Sequence, residues 1–488
     1  MSHLLWRWSR TWASTLACLL LSCPRQSSPG IRVVILHTAD LHGQVDRLPQ
    51  MAAYIASERA ASTRSGCRFL YVDSGDFFQG TPEGDLTRGR AVLDALNAMR
   101  CDALVPGNHD FDLGPGVTEE LAKSARFPFL AANLRRTGGR GPPPWLKSSL
   151  RLPELRLELV GLVTSEMEKL SSRRAREGLE FAPEAEALAA HAWAPGAARI
   201  LVTHIGIDRD RALPLKGIAA ILGGHTHVEA VETLANGTIL MHPGSHGTSV
   251  GRLELELDAA TGAVRSAKAA VVTLDGIRGD AAIRGLIEGR TAEIRKAMAE
   301  RVGRLAVDLP RGGAEFDGVS SPLGNHVADV VLEAAGAEAA VILRSSIRAS
   351  LFAGPVRRRD LYEATPFPDT IVAVTVTGAR LRSALELAVG GDERVLVEVA
   401  GIELEYDRSA PRGRRIGKLE VAGAPLDPRR RYRVATLSFM TEPDGLFAAG
   451  ADFTDTGRTV YDANADYLRK RQPFTPPEFR PRIHGFSK

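Results

Sequence analysis

Five short apolar segments of the chain are each followed, within a few residues, by aspartate, asparagine or histidine. The segments are residues 31–36, 68–72, 103–105, 199–202 and 218–222. Apolar runs of this length, bounded by glycine and aspartate, predict strands that are buried on both faces. Residues 90–99 place apolar side chains on one face and predict a helix between two of these strands. The pattern therefore predicts an α/β fold.

The polar residues that follow these segments are candidates for one shared site. In chain order they are Asp40 and His42, Asp76, Asn108 and His109, His204, and His225 and His227. In open α/β sheets, ligand sites lie outside the carboxyl ends of the strands, so we expect these five groups to converge. A single Asp-x-His or Asn-His pair is more simply explained as part of a turn, whereas five groups of such residues, each after a strand, favour a metal site. Mixed oxygen and imidazole ligands suit divalent transition metals, and seven of them could hold two ions if one carboxylate bridges.

The composition changes near residue 280, where a second unit begins. Residues 281–302 predict one charged helix that links the two units. Ser321 and Pro322 then predict a helix start, with serine as the N-cap and proline in the first turn. Further strands are predicted at residues 339–343, 370–376, 395–399 and 432–437, and a proline-rich tail follows Gln472. Two folded units agree with a length of 488 residues.

The charge balance argues against a nucleic-acid polymer as a partner. The 62 basic and 58 acidic residues are interspersed, and the net charge is only +4. The short arginine runs at 357–359 and 429–431 are more simply explained as solvated surface. We therefore expect a small-molecule substrate rather than a nucleic-acid polymer.

The amino terminus carries the pattern of a targeting segment. Arg7 and Arg10 precede an apolar run at residues 12–21, which is too short to span a bilayer. The run ends Leu-Leu-Ser-Cys at residues 20–23, and this resembles the lipobox of bacterial lipoproteins. The resemblance implies cleavage before Cys23 and a lipid on its sulfur, hence an exported, periplasmic or cell-surface lipoprotein. The alternative is an ordinary signal peptide with an incidental cysteine.

Two cysteines, Cys67 and Cys101, remain in the exported chain, and each stands just before a predicted strand. Export to an oxidising compartment permits a disulfide between them. Whether their Cα atoms are close enough for a bridge is left open.

The order of the metal-site motifs resembles that of the calcineurin-like metallophosphoesterases. That order is Asp-x-His, Gly-Asp, Gly-Asn-His, His and Gly-His-x-His. The longer strings at residues 35–43, 75–81 and 107–112 resemble the 5′-nucleotidase family within that group. The resemblance implies an α/β fold with an N-terminal metallophosphoesterase β-sandwich flanked by helices and a smaller α+β C-terminal substrate domain. The expected division is a signal peptide at 1–22, a lipidated tether at 23–30, the catalytic domain at 31–279, a linker helix at 280–306, the substrate domain at 307–475 and a tail at 476–488.

The same resemblance implies a role for each residue of the site. The first metal ion would be held by Asp40, His42, Asp76 and His227, and the second by Asp76, Asn108, His204 and His225. His109 would stabilise charge on the transferred phosphoryl group or assist the leaving oxygen, and Asp112 would orient His109. A metal-bound water would attack the phosphorus. Zinc, manganese and iron all suit such a site, so the identity of the two divalent ions is left open.

The predicted substrate domain departs from the family pattern in its anion-binding turn. Arg344 and Arg348 stand four residues apart, as in relatives that use both on phosphate or carboxylate groups. Leu343 stands where the family usually has asparagine. In the segment Pro-Phe-Pro-Asp at residues 366–369, Asp369 also replaces the usual asparagine.

The aromatic residues that sandwich a base in this family also look altered. Leu396 and Leu446 stand at the two expected positions, and we expect them to contact the substrate and to discriminate weakly among bases. If the alignment is shifted by one or two residues, Phe439 or Phe447 could supply one of the two rings.

Together these features predict a metal-dependent phosphoric ester hydrolase, most simply a 5′-nucleotidase that dephosphorylates nucleotides. Nucleotide sugars, cyclic nucleotides and non-nucleotide esters, including a thiosulfohydrolase-like substrate, are alternatives within the same class. A non-catalytic substrate-binding lipoprotein is the alternative from another class. A binding protein has no need of the full ligand set together with His109 and Asp112.

Overall fold

A computed structural model describes residues 30–139, 141–312, 316, 319–390, 396–442, 445–448 and 452–486 of this chain. The predicted signal peptide and Cys23 lie outside the described residues. Within these ranges, no helix has both the length and the apolar character that crossing a membrane requires.

The first half of the described chain alternates short strands with helices. Its strands are β1 (Gly30–Thr38), β2 (Arg68–Asp73), β3 (Ala103–Leu104), β4 (Phe129–Leu130), β5 (Leu134–Arg136), β6 (Leu146–Lys147), β7 (Ser149–Leu152), β8 (Leu157–Val163), β9 (Leu179–Phe181), β10 (Ala198–His204), β11 (Ile218–Gly223), β12 (Glu229–Thr233), β13 (Ile239–Pro243), β14 (Ser249–Asp258) and β15 (Val264–Thr273). Its helices are α1 (Leu48–Arg64), α2 (Pro82–Leu86), α3 (Arg90–Ala98), α4 (Pro115–Ser124), α5 (Met167–Leu170), α6 (Glu184–Ala190), α7 (Ile207–Ala212) and α8 (Ala281–Met298).

Two sheets form a sandwich in this half. Among the described residues, one sheet has seven strands in the order β15-β14-β1-β2-β3-β4-β6 and the other has six in the order β12-β13-β11-β10-β8-β7. The inner strands β1 to β4 of the first sheet are parallel, as are β8, β10, β11 and β13 of the second. The parallel arrangement brings the carboxyl ends of five strands to one edge of the sandwich.

The side chains of β1 show why these segments form buried strands. Val33 and Ile35 pack into the core between the two sheets, whereas Val34 and Leu36 pack into the core beneath helices α1 and α3. Successive side chains of a strand point to opposite faces, so a strand that is covered on both sides must be apolar at every position. The predicted sandwich flanked by helices is confirmed.

The second half of the described chain forms a smaller α+β unit. Its strands are β16 (Arg301–Leu305), β17 (Ala339–Leu343), β18 (Gly354–Arg357), β19 (Thr370–Thr377), β20 (Val397–Ala400), β21 (Ile402–Asp407), β22 (Ile416–Val421), β23 (Ala424–Pro425), β24 (Arg431–Leu437), β25 (Asp452–Thr459) and β26 (Ile483–Phe486), and its helices are α9 (Pro322–Ala335), α10 (Arg358–Ala364), α11 (Gly378–Ala388) and α12 (Val460–Lys470). The main sheet has the order β20-β17-β24-β19-β25, and a second sheet has the order β23-β22-β21-β26. The Ser321 hydroxyl accepts a hydrogen bond from the Gly324 N–H and caps α9 as predicted.

Two element boundaries differ from the sequence-based expectation. Helix α8 ends at Met298 rather than at Val302, because Arg301–Leu305 pairs with β18 and buries Val302 and Leu305. The proline-rich tail returns to the fold as β26, which pairs in parallel with β21 and buries Ile483 in the core. The domain boundaries given above stay a prediction.

Polar contacts connect the two halves beside the site edge. Tyr362 of α10 donates a hydrogen bond to Asp85 of α2 at 3.0 Å, and Arg359 of α10 pairs with Glu83 of α2. Arg295 of α8 also approaches Glu83, at 3.4 Å. Since Glu83 and Asp85 are both buried, these contacts fix α10 against α2.

The two remaining cysteines are free thiols. Cys101 is buried, and its thiol donates to the Ala103 carbonyl at 3.2 Å, while Cys67 is only partly buried. Burial raises the pKa of the Cys101 thiol well above its usual value, so this side chain behaves as a small apolar residue.

Candidate metal centre

The residues that follow the five strand ends converge into two adjacent clusters. One cluster contains Asp40, His42 and His227, and the other contains Asp76, His204 and His225. Within each cluster, the potential ligand atoms lie within 4.8 Å of one another. The sequence-based expectation that these strand ends meet is therefore reproduced by the structure.

Asp76 lies between the two clusters. Its Oδ2 atom is 3.1 Å from His204 Nε2 and 3.8 Å from His42 Nε2. Its Oδ1 atom accepts a hydrogen bond from the His109 backbone N–H at 2.8 Å. One carboxylate oxygen thus faces imidazoles of both clusters, which is the position that a bridging ligand occupies.

Asn108 completes the set of seven predicted ligands. Its side chain is almost fully buried, and its Oδ1 atom has no hydrogen-bond partner among the described residues. Buried polar atoms are almost always paired, so an unpaired amide oxygen beside two carboxylates points to a cation as its partner.

The backbone around the site is strained in a way that orients these side chains. Asp40, His42, Asp76, His225 and His227 all have φ values between +46° and +84°. For residues other than glycine, this left-handed region costs about 1–3 kcal/mol each and persists where the surroundings impose it. The Asp40 N–H donates to the Gly75 carbonyl and the His42 N–H to the Asp76 carbonyl, both at 2.8 Å.

Asp110 and Gly107 support the turn that carries Asp76. The Asp110 carboxylate accepts hydrogen bonds from the backbone N–H groups of Asp76, Phe77 and Gly107, at 2.8–3.0 Å. A Cβ atom on Gly107 would lie 2.1 Å from Asp76 Oδ1, so only glycine leaves room for the carboxylate. Asp110 was not singled out from the sequence, although it lies within the quoted Gly-Asn-His-Asp string.

Backbone carbonyls fix the orientation of two imidazole rings. The Nδ1–H of His204 donates to the Ser74 carbonyl at 2.6 Å, and that of His42 donates to the Gln79 carbonyl at 2.8 Å. In this tautomer the Nε2 lone pair of each ring is directed to the cluster, the arrangement usual for metal-binding histidines. His42 Nε2 lies 2.9 Å from His227 Nε2, the third ring of its own cluster.

The buried carboxylates of the site favour the binding of cations. Asp40 and Asp76 are buried, and burial together with the neighbouring Asp76 charge raises the pKa of Asp40 to about 7. Burial alone would lower the pKa of His204, but the carboxylates of Asp76 and Asp40 raise it to about 10. Such a carboxylate pair attracts positive charge, and the oxygen and imidazole donors around it fit two divalent ions.

His109 and Asp112 form a pair next to the clusters. The Nδ1 atom of His109 lies 2.7 Å from Asp112 Oδ2. Burial lowers the pKa of His109, but the charges of Asp112 and Asp76 raise it to about 9. Asp112 therefore orients the His109 ring, and its charge favours the protonated form of the imidazole.

A cavity of about 470 Å³ opens over the clusters and lies between the two halves of the chain. The first half contributes Asp76, Asn108, His109, His225 and His227 to its lining. The second half contributes Arg348, Phe367, Asp369 and Phe439. Asp40, His42 and His204 lie behind this lining and are buried.

The structure separates the two arginines that the sequence groups together. Arg348 lines the cavity, and its guanidinium lies 5.9 Å from the centre of the Phe367 ring. Arg344 does not line it. The Arg344 guanidinium pairs with the fully buried Glu398 at 2.9 Å and donates to the Val319 carbonyl. Its positive charge is therefore neutralised by Glu398 within the second unit.

Neither leucine that was expected to contact the substrate lines the cavity. Leu396 is 51% exposed, and Leu446 packs against the core of the second unit. Phe447 is also buried in that core. The rings at the cavity are instead those of Phe367 and Phe439. Weak discrimination among bases was expected because leucines would replace the aromatic rings, and aromatic rings are present at the cavity.

The remaining histidines near the site have distinct surroundings. His37 is buried, and its Nε2 atom lies 2.7 Å from the hydroxyl of Ser74, the residue whose carbonyl holds His204. His242 pairs with Asp210 at 2.8 Å in the interior. The ring of His246 lies 5.6 Å from that of His42 but does not line the cavity.

Comparison with known proteins agrees with this architecture. Residues 33–229 match the calcineurin-like phosphoesterase family, and residues 301–451 match the C-terminal domain of 5′-nucleotidases. The chain is 25% identical to the trifunctional nucleotide phosphoesterase protein YfkN of Bacillus subtilis, over 92% of this chain but only 35% of that longer protein. It is also 25% identical to the snake venom 5′-nucleotidase of Naja atra, over 90% of this chain and 96% of that one.

Solved structures share the fold of the whole described chain. A 5′-nucleotidase precursor from Thermus thermophilus superposes with a TM-score of 0.79 at 24% identity, covering 94% of this chain and all of that one. The sulfate thiohydrolase SoxB of Thermus thermophilus superposes with a TM-score of 0.74 at 20% identity, covering 93% of this chain and 97% of that one.

The different positions of Arg344 and Arg348 predict opposite effects of removing them. Arg344→Met should lower the free energy of unfolding by about 3 kcal/mol, because it leaves Glu398 buried without its cationic partner. Burial raises the pKa of Glu398, and a protonated glutamic acid needs no such partner. The loss measured by chemical denaturation should therefore be larger at pH 8 than at pH 5.

Arg348→Met is the matched control for this measurement. Arg348 makes no ion pair with any described residue, so its removal should change the free energy of unfolding by less than about 0.5 kcal/mol. Equal destabilisation by both substitutions would contradict the placement of Arg344.

Proposed function

Because this chain belongs to the 5′-nucleotidase family of calcineurin-like phosphoesterases, we propose that it hydrolyses the 5′-phosphate ester of nucleotides. The observation that carries the proposal is the shared cavity. Its first-half lining contains the metal-site residues, and its second-half lining contains one arginine and two aromatic rings. A nucleotide matches this lining, because its phosphate suits the metal-site residues and the arginine, and its flat base suits the aromatic rings.

Each metal ion is assigned the ligands that surround its cluster. The first ion is assigned to Asp40, His42, Asp76 and His227, and the second to Asp76, Asn108, His204 and His225. Two divalent ions in such a site neutralise charge on a phosphoryl group and make water a stronger nucleophile. The chain itself supplies the orientation of these side chains, through the left-handed turns and the backbone hydrogen bonds described above.

His109 acts on the phosphoryl group rather than on the metals. The Asp112 carboxylate holds its Nδ1–H, so that protonation of the ring places an N–H donor at Nε2. That donor can stabilise negative charge on a phosphoryl oxygen or pass its proton to the leaving 5′-oxygen. A non-catalytic binding protein has no need of a histidine oriented in this way by a carboxylate.

Arg348 and the two phenylalanines bind the parts of the substrate that do not react. The Arg348 guanidinium, which is free of carboxylate partners among the described residues, suits a phosphate oxygen. The Phe367 and Phe439 rings suit the face of a base, since base stacking on an aromatic ring is worth about 1–3 kcal/mol. Arg348 lies beside Phe367, so phosphate and base are bound next to each other.

Rates of hydrolysis over a defined substrate panel, with the products separated by chromatography, test the proposal. The manganese-loaded protein should hydrolyse 5′-nucleotides to nucleoside and phosphate at least about tenfold faster, in kcat/KM, than it hydrolyses the matching 3′-nucleotides, nucleotide sugars or cyclic nucleotides. A chelator should abolish the activity. Preference for one of the other esters would overturn the nucleotidase assignment while leaving the phosphoesterase chemistry intact.

His109→Ala should lower kcat for the best substrate on the order of 10²–10⁴-fold, the usual effect of removing a positioned acid or charge stabiliser. Metal content should stay at the wild-type value, because His109 is not a ligand. His484→Ala removes an exposed histidine of β26 and should change neither quantity. Loss of metal together with loss of turnover in His109→Ala would contradict its role.

We also propose that the mature chain is exported and tethered to a membrane by lipid on Cys23. Support comes from the Leu-Leu-Ser-Cys sequence at residues 20–23 and from the short stretch between Cys23 and the start of β1 at Gly30. Cys23→Ser should therefore move the correctly exported protein from the membrane fraction to the soluble fraction on cell fractionation. Continued membrane association of a cleaved variant would point to another anchor.

A further inference from the structure

Asp369 is a partly buried carboxylate at the wall of the substrate cavity. It forms no ion pair with any residue that the structure describes. Phe367, Leu437 and Phe439 line the cavity with it, and the charged groups that act on it are the carboxylates of Asp112 and Glu442. An unpaired carboxylate in such surroundings requires a specific explanation, because burial penalises its charge unless donors compensate.

Two donors within the protein hold Asp369 as a hydrogen-bond acceptor. The Ser438 hydroxyl accepts from the Thr370 N–H at 3.2 Å, so its own hydrogen is directed to Asp369 Oδ1 at 3.0 Å. The Phe439 backbone N–H is a second donor to the same carboxylate. An ionised carboxylate has about four acceptor positions, so others remain for a molecule in the cavity.

The fold does not require a carboxylate at this position. An asparagine could accept the same two donors through its carbonyl oxygen and would bring no charge into the cavity. A carboxylate differs from an asparagine in presenting only acceptors. The difference therefore concerns the bound molecule rather than the stability of the chain.

The order of residues along the cavity indicates which part of a nucleotide reaches Asp369. The His109 ring lies 6.2 Å from the Phe367 ring, between centroids, and Arg348 lies over the same ring. Asp369 follows Phe367 by two residues and is bonded to the backbone of Phe439, the second aromatic residue. A base that contacts the Phe367 and Phe439 rings therefore lies beside Asp369.

We propose that Asp369 selects nucleotides whose base presents N–H donors on its edge, guanine in preference to adenine. Guanine presents two adjacent donors, N1–H and the 2-amino group, which match the two oxygens of a carboxylate. Adenine presents its 6-amino donor beside the N1 acceptor, whose lone pair faces the carboxylate unfavourably. This inference rests on the proposed 5′-nucleotidase function and specifies the substrate class of the same site.

The test compares GMP, IMP and AMP as substrates of the wild-type protein and of Asp369→Asn. A good bidentate contact to a base edge discriminates by about 1–3 kcal/mol. We expect kcat/KM for GMP to exceed that for AMP by at least about tenfold, the equivalent of about 1.4 kcal/mol, with IMP between them because it has one donor. In Asp369→Asn the ratio of GMP to AMP should fall below about threefold or invert, since an amide offers both a donor and an acceptor.

Asp452→Asn serves as the matched control, because Asp452 is an exposed carboxylate on β25 and should leave all three rates unchanged. Equal unfolding midpoints for wild type and Asp369→Asn are expected if the carboxylate serves the substrate. Equal kcat/KM for GMP and AMP in the wild type, or an unchanged ratio in Asp369→Asn, would overturn the inference while leaving the nucleotidase proposal standing.

Ribose 5-phosphate and 2-deoxyribose 5-phosphate distinguish a contact to the sugar from a contact to the base. If Asp369→Asn lowers kcat/KM for ribose 5-phosphate but not for its deoxy analogue, the carboxylate binds a sugar hydroxyl and the base assignment is wrong. Absence of hydrolysis with every nucleotide would instead contradict the proposed function itself.

Discussion

The attraction between two buried carboxylates and the cations they need is the interaction on which this molecule depends. Asp40 and Asp76 lie close together in the interior, where like charges cannot both persist without compensation. The raised pKa of His204 shows the pull of these carboxylates on positive charge. Three features hold the two carboxylates in position. They are the space left by Gly107, the three backbone N–H groups that donate to Asp110, and the left-handed turns after β1 and β2.

The second unit is linked to this centre through the loop before α2. The Gln79 carbonyl orients His42, and the next residue, Gly80, donates its N–H to Asp85, which in turn accepts from Tyr362 of α10. The loop therefore contacts a metal-site histidine directly and reaches the second unit through Asp85 of α2. The same docking places Arg348 and Phe367 beside His109, so the position of the second unit helps to shape the substrate cavity.

The convergence of the predicted residues into two clusters could be foreseen from the sequence because its signal is local. Asp40, Asp76 and Asn108 each follow a strand end within a few residues, and parallel strands bring such ends together. The distinction between Arg344 and Arg348 was not predictable, since it depends on Glu398, which is distant in sequence and reaches Arg344 only through the β17–β20 pairing. For the same reason Phe439 was only an alternative in the sequence analysis and Phe367 was not assigned to the substrate: which rings face the cavity depends on how the loops after β24 and α10 fold.

The proposed chemistry requires two metal ions, one on each side of Asp76. Anomalous diffraction from crystals of manganese- or zinc-loaded protein, for wild type and for Asp76→Asn, locates these ions. We expect two ion peaks in the wild type, about 3.5–4 Å apart with Asp76 between them, and loss of much of both peaks in the variant. A single ion, or two fully occupied ions in Asp76→Asn, would contradict it.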